Sequence, residues 1–199
     1  MKKALALVIS VIFAIQTAGC SRTPSLDINT FEKYVFSDLG ITKRETLDSS
    51  DGYYSLDDHS ENVSSYPLDH YSQVYFSATN GTVGKLYMLY YDYQNESDAR
   101  KFYNETADSE KEYVISNPNT YKSEAENDYI VVVSTKDELT YNFECLQIRK
   151  DIIIYSSIVL SASELERLDK DWLNKVDDLF DDLRLHSPFG LVPKIEDLI

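Results

Sequence analysis

The chain has 199 residues, of which 34 are acidic and 19 basic, and its net charge is -15. So acidic a surface repels phosphate backbones, which argues against nucleic acid as a partner. The length suits one domain rather than several.

The first residues read as an export signal. Lys2 and Lys3 form a short positive start, an apolar run over 4–15 follows with only Ser10 breaking it, and small residues lead into Cys20. That order of charge, apolar core and small residues is a secretory signal peptide, and its apolar run is too short for a permanent span, which needs roughly 20 apolar residues. Thr17-Ala18-Gly19-Cys20 resembles the bacterial lipobox, with Thr17 where leucine is usual. The resemblance implies cleavage before Cys20 and a diacylglyceryl group on its thiol. Two acyl chains anchor stably where one does not. Residues 1–19 are then signal peptide and 20–26 a lipidated tether. Cleavage of residues 1–19 takes away Lys2 and Lys3 and no acidic residue, leaving a mature chain at -17. Such a domain is repelled by anionic headgroups and stands off the bilayer on its tether. With Cys20 lipidated, Cys145 has no partner for an internal disulfide. It lies in an apolar strand with no cation beside it, as a small buried hydrophobe does.

The domain is expected over 27–186. Asp27 is placed to cap a first helix, Ile28, Phe31, Val35 and Leu39 share one face, and Gly40 stops it. Residues 45–69 are polar, acidic and serine-rich, a long loop with room for one short strand around Tyr53. Strands follow over 71–78 and 83–93, joined by Asn80-Gly81, a strong hairpin signal because a type I′ turn needs positive φ at both positions. Asn95 or Ser97 caps a second helix carrying Ala99, Phe102 and Tyr103. Residues 115–127 read as a polar loop with a turn at Asn117-Pro118-Asn119. The run 129–133, the strand ending at Ile148 and the run 152–159 make a three-stranded meander, turning at 136–138 and at Lys150-Asp151. Ser161 and Glu164 then form a capping box before a helix with Leu165, Leu168, Trp172, Val176, Leu179 and Leu183 on one face. Pro188, Gly190 and Pro193 leave 187–199 as a tail. The fold class is α+β: an antiparallel sheet of about five strands, hairpin plus meander, with three helices on one or both faces.

A two-residue Asn80-Gly81 turn sets Val74 opposite Tyr87 and Tyr75 opposite Leu86. One side then carries Val74, Phe76, Val83, Tyr87, Leu89, Tyr91 and Tyr93, the other Tyr75, Leu86, Met88 and Tyr90. Both sides are apolar, so either helices cover both faces or one face is an open, tyrosine-lined surface. The second architecture nominates Tyr75, Tyr87, Tyr91 and Tyr93 as a binding surface. Tyrosine is abundant, at 16 residues, and its apolar face with a polar tip suits contact surfaces.

No other constellation specifies chemistry. His59, His70 and His186 lack the spacing of a zinc site, and His59 and His70 lie in or beside a solvated acidic loop. Asp177-Asp178 and Asp181-Asp182 fall on the wet face of a helix, without the central glycine of a calcium loop. No G-x-S-x-G is present. The sequence therefore nominates no catalytic residue, no metal ligand and no cofactor. The order of elements is similar to that of small Firmicutes lipoproteins of unknown function, a resemblance over about 27–185 that brings no activity. The expectation is a non-enzymatic binding module on the outer face of the cell membrane, or of the outer membrane in a Gram-negative host. It would be held there by lipid and contact a protein, peptide or envelope ligand. The alternatives are an immunity-type lipoprotein that intercepts a cationic peptide, or an enzyme with a dispersed carboxylate site.

Overall fold

A computed structural model describes residues 26–41, 52–57, 64–77, 84–116, 120–135, 140–165 and 167–189. Residues 1–25, and with them the signal peptide, Cys20 and the tether, lie outside the described residues. So do His59, the Asn80-Gly81 turn, the turns expected at 117–119 and 136–138, and 190–199.

The first helix forms as its pattern requires. Helix α1 spans Ile28–Leu39; the Asp27 carboxylate accepts from the Thr30 amide at 2.9 Å, and Gly40 closes the end at φ 70°. Phe31, Val35 and Leu39, four residues apart, are its buried stripe. Strands β1 (Gly52–Asp57), β2 (Leu68–Ser77) and β3 (Lys85–Tyr93) then form an antiparallel meander, and helix α2 (Glu96–Ser116) leaves the centre of the sheet for its far edge. From there β4 (Thr120–Ala125), β5 (Tyr129–Thr135), β6 (Thr140–Arg149) and β7 (Ile152–Ser161) step back until β7 pairs with β3. The result is one seven-stranded antiparallel sheet in the order β1-β2-β3-β7-β6-β5-β4. A short helical turn α3 (Ala162–Leu165) and helix α4 (Lys170–Leu183) complete the chain.

The α+β class and antiparallel sheet are as expected, with the five expected strands at the centre and one further strand at each edge. The edge strand β1 is the short strand expected around Tyr53 inside a polar loop, while β4 lies in a stretch read as polar loop throughout. An edge strand pairs through its backbone on one side and faces water on the other, so its sequence needs no apolar pattern. The capping box also behaves differently from its reading. Glu164 does accept from the Ser161 amide, but the turn it starts is short. The long helix begins after Asp169, whose carboxylate accepts from the Asp171 and Trp172 amides at 2.8 and 3.3 Å. The amphipathic pattern runs through this break without registering it.

The hairpin register is corrected by one residue. Val74 faces Met88 and Tyr75 faces Tyr87, each one residue along from the expected Tyr87 and Leu86. This sorts the two faces cleanly, because facing residues share a side. Val74, Phe76, Leu86, Met88 and Tyr90 go to one side, packed with α1, α4 and the β5–β7 residues Val133, Phe143, Cys145, Ile154 and Ile158. Tyr71, Tyr91 and Tyr93 go to the other, under Ala99, Tyr103 and Ala107 of α2. Helices therefore cover both faces, the first of the two architectures. Phe189 packs edge-on against Phe143 at 4.9 Å, and Leu26 is buried with the same core. The domain thus runs to at least Phe189, beyond the expected boundary at 186.

Candidate functional site

The corrected register brings Tyr75, Tyr87, Tyr91 and Tyr93 onto one face of the sheet, where the two-residue turn had separated Tyr75 from the rest. It does not make them one surface. Tyr91 and Tyr93 are only 8% and 1% exposed, because Phe102 of α2 packs on both rings at 5.6 and 5.7 Å. Burial pushes both phenols above their ordinary pKa, with Ser64 hydrogen-bonded to Tyr93 opposing the shift. They are core residues, and their nomination as surface is corrected on that ground. Tyr75 and Tyr87 face each other across β2 and β3, are half-buried, and lie outside the cluster under α2. The neighbouring strands extend this half of the face with Tyr155, which donates to Glu144, and with Ser157 and Asn142, hydrogen-bonded to each other at 3.2 Å. Val159, 48% exposed, stands at its end.

The remaining candidates are placed as follows. Cys145 is fully buried in β6, and burial pushes its thiol up to about 12, opposite to what a nucleophilic thiolate requires. His70 Nδ1 lies 3.1 Å from Asp92 across the β2–β3 ladder. His186 stacks on Tyr129 at 3.7 Å between ring centroids. Among the described residues no group of three His, Cys, Asp or Glu side chains is placed to hold a metal ion. Asp177, Asp178, Asp181 and Asp182 lie on the exposed side of α4. Burial, then Asp181 and Asp178, raise the pKa of Asp177. Burial also raises that of Asp38 on α1, with a smaller contribution from Asp182 and Asp178.

One feature went unread in the sequence. At the end of the sheet where β6 turns into β7, a cleft of about 400 Å³ opens between the start of α2 and the end of α4. Four cations line it, Arg100, Arg149, Lys150 and Arg184, against two carboxylates, Glu96 and Asp128. Arg100 is committed: it donates to the Asn127 carbonyl at 2.7 Å and pairs with Asp128 at 3.0 Å. Arg149 donates to the carbonyls of Leu183 and Arg184 at 3.3 and 2.6 Å, satisfying the exposed end of α4. Burial, then the charge of Arg184, hold its guanidinium below its ordinary pKa. Lys150 and Arg184 both sit in the left-handed backbone region, at φ 60° and 53°. Lys150 is in the β6–β7 turn and Arg184 is the cap of α4, its amide donating to Asp181. Among the described residues neither side chain has a hydrogen bond or ion pair of its own. Gln147 fixes the far wall by exchanging two hydrogen bonds with the backbone of His186, at 3.1 and 2.9 Å. Leu26, where the chain enters the fold, lines the cleft as well. These residues come from separate stretches of the chain between 26 and 186. The only local hint was Arg149-Lys150 at a turn, which reads as ordinary surface charge.

Among the described residues no helix is long and apolar enough to cross a membrane. No family model matches the chain, and no curated protein does. Among solved structures, the extracellular domain of PknH from Mycobacterium tuberculosis is similar, at a TM-score of 0.48 and 10% identity, over 81% of this chain and 98% of that one.

Proposed function

We propose that this chain is a lipid-anchored lipoprotein of the extracytoplasmic membrane surface, acting there as a non-enzymatic binding module. The observation that carries the reading is Thr17-Ala18-Gly19-Cys20 behind a charged start and a short apolar run. The position of the fold agrees with it. Leu26 is already in the core, its carbonyl held by the buried Tyr90 hydroxyl at 3.1 Å. Only a few residues therefore separate the lipidated cysteine from the folded domain, as a short tether requires. Burial of Cys145 removes it as a thiol nucleophile. The half-buried pair Tyr75 and Tyr87 supplies flat aromatic area for a protein, peptide or envelope ligand. Detergent phase partition of cells expressing the chain tests the anchor. The wild type is expected in the detergent phase and Cys20→Ser in the aqueous or uncleaved fraction; equal partition of the two would defeat the reading.

A second reading, interception of a cationic peptide, is favoured by the acidic side of α4, where Asp178 and Asp182 lie close enough to Asp38 to raise its pKa. Opposite charge speeds encounter. Added salt separates the two: capture by charge weakens sharply, while contact through tyrosines persists.

A further inference from the structure

Lys150, Arg149 and Arg184 converge on one cleft from the β6–β7 turn, the end of β6 and the cap of α4. In a chain of net charge -15 this is a local reversal of sign, and a concave site of one sign focuses its field on an oppositely charged solute. The two carboxylates do not cancel it: Asp128 is matched by Arg100, leaving Glu96 against three cations. Arg149 is fixed by its two carbonyl bonds, so one guanidinium is already oriented. Lys150 and Arg184 stand beside it without partners among the described residues. The first turn of α2, through Glu96 and Arg100, forms another wall. The volume, about 400 Å³, lies within the range of small-ligand sites and is too large for a bare ion.

We propose that this cleft binds the phosphoryl group of a small ligand, with Arg149 and Arg184 supplying planar donors and Lys150 a point charge. Guanidinium and ammonium groups together match a phosphate's several acceptor oxygens. Two sources offer that chemistry, a soluble phosphate ester or a phospholipid headgroup. The second deepens the lipid-anchor reading and rests on it. Leu26 lines the cleft six residues after Cys20, and six extended residues span at most about 20 Å. A lipidated Cys20 would therefore keep the cleft within reach of headgroup phosphates, although the rest of the acidic surface is repelled by them.

The test is titration calorimetry on the mature chain in neutral detergent, at constant ionic strength. The probes are inorganic phosphate, glycerol phosphate, and a short-chain phosphatidylglycerol below its micelle concentration. Saturable binding of at least one probe is expected, weakened about tenfold or more, roughly 1.4 kcal/mol, in Lys150→Gln/Arg184→Gln. Both side chains are exposed, so the double variant keeps its fold, which circular dichroism checks. Binding of the lipid alone names the headgroup as source, and binding of the soluble esters alone names a solute. No saturable binding of any probe, or equal binding by the folded double variant, overturns the proposal. The N-terminal mass of the same preparation reports lipidation separately, so failure of the anchor and failure of the cleft are told apart.

Discussion

Gly84 is the residue at which this fold tolerates least. A Cβ there would meet the Trp172 indole at 2.7 Å, and that indole is packed parallel to Phe76 in the core. The ring cannot retreat, so Gly84→Ala should cost about 1–3 kcal/mol, read from the midpoint of urea unfolding with an unchanged slope. Tyr90 is a second such position. Its hydroxyl is buried and satisfies the Leu26 carbonyl, and Tyr90→Phe strands that carbonyl at a cost of about 1–3 kcal/mol. The same bond holds the backbone just before α1, so hydrogen exchange at the N-terminal edge of α1 should quicken with its loss. At this scale the sequence is a poor guide. Nothing in Tyr90, one of 16 tyrosines, distinguishes a core hydroxyl with a partner from a surface one. Tyr91 and Tyr93 were misplaced for the same reason: aromatic residues on a strand say which face they take, not whether a helix lies over it.

Among the elements, α1 was legible from end to end, because Asp27, the apolar spacing and Gly40 all act within one turn of the residues they control. The edge strand β4 was not, and β1 only as a short strand around Tyr53 within a loop, since the pairing of an edge is a property of the neighbouring strand and leaves little mark on its own composition. The observed register lies one residue from the expected one, because the Asn80-Gly81 signal marks a hairpin without fixing how the ladder pairs. The break before α4 was missed because Asp169, a good cap, follows an earlier and equally good cap at Ser161. Asp169→Ala should therefore destabilise the protein by about 1 kcal/mol, measured by thermal or urea unfolding. A cost near zero would mean that α3 and α4 join when the cap is lost.

For the whole molecule, the surplus of carboxylates fixes how stability responds to pH. Burial, with like-charged neighbours, raises the pKa of Glu110, Asp38, Asp92 and Asp177 above their ordinary 4.5 or 3.8. In each case the unfolded chain releases its proton at lower pH than the folded chain does. Ionisation therefore penalises the fold from the ordinary value up to the raised one, and stability falls as pH rises through that window. Asp98 opposes, lowered by Asn95 and then Lys101, but it is one group against four. The melting temperature should rise as pH falls through the window just above the ordinary carboxylate values, and Glu110→Gln should blunt that rise. The cationic cleft is likewise a property of the assembled molecule. Residues from α2, β6, the β6–β7 turn and α4 become neighbours only once the sheet is complete, which is why their positions in the sequence carried no signal.

The anchor is the claim on which location, orientation and the headgroup source all depend, and it is read most directly from the mass of the N-terminal peptide of the protein recovered from membranes. The expected peptide begins at Cys20 and carries a diacylglyceryl group. A peptide that begins elsewhere, or a Cys20 with a free thiol, would contradict it.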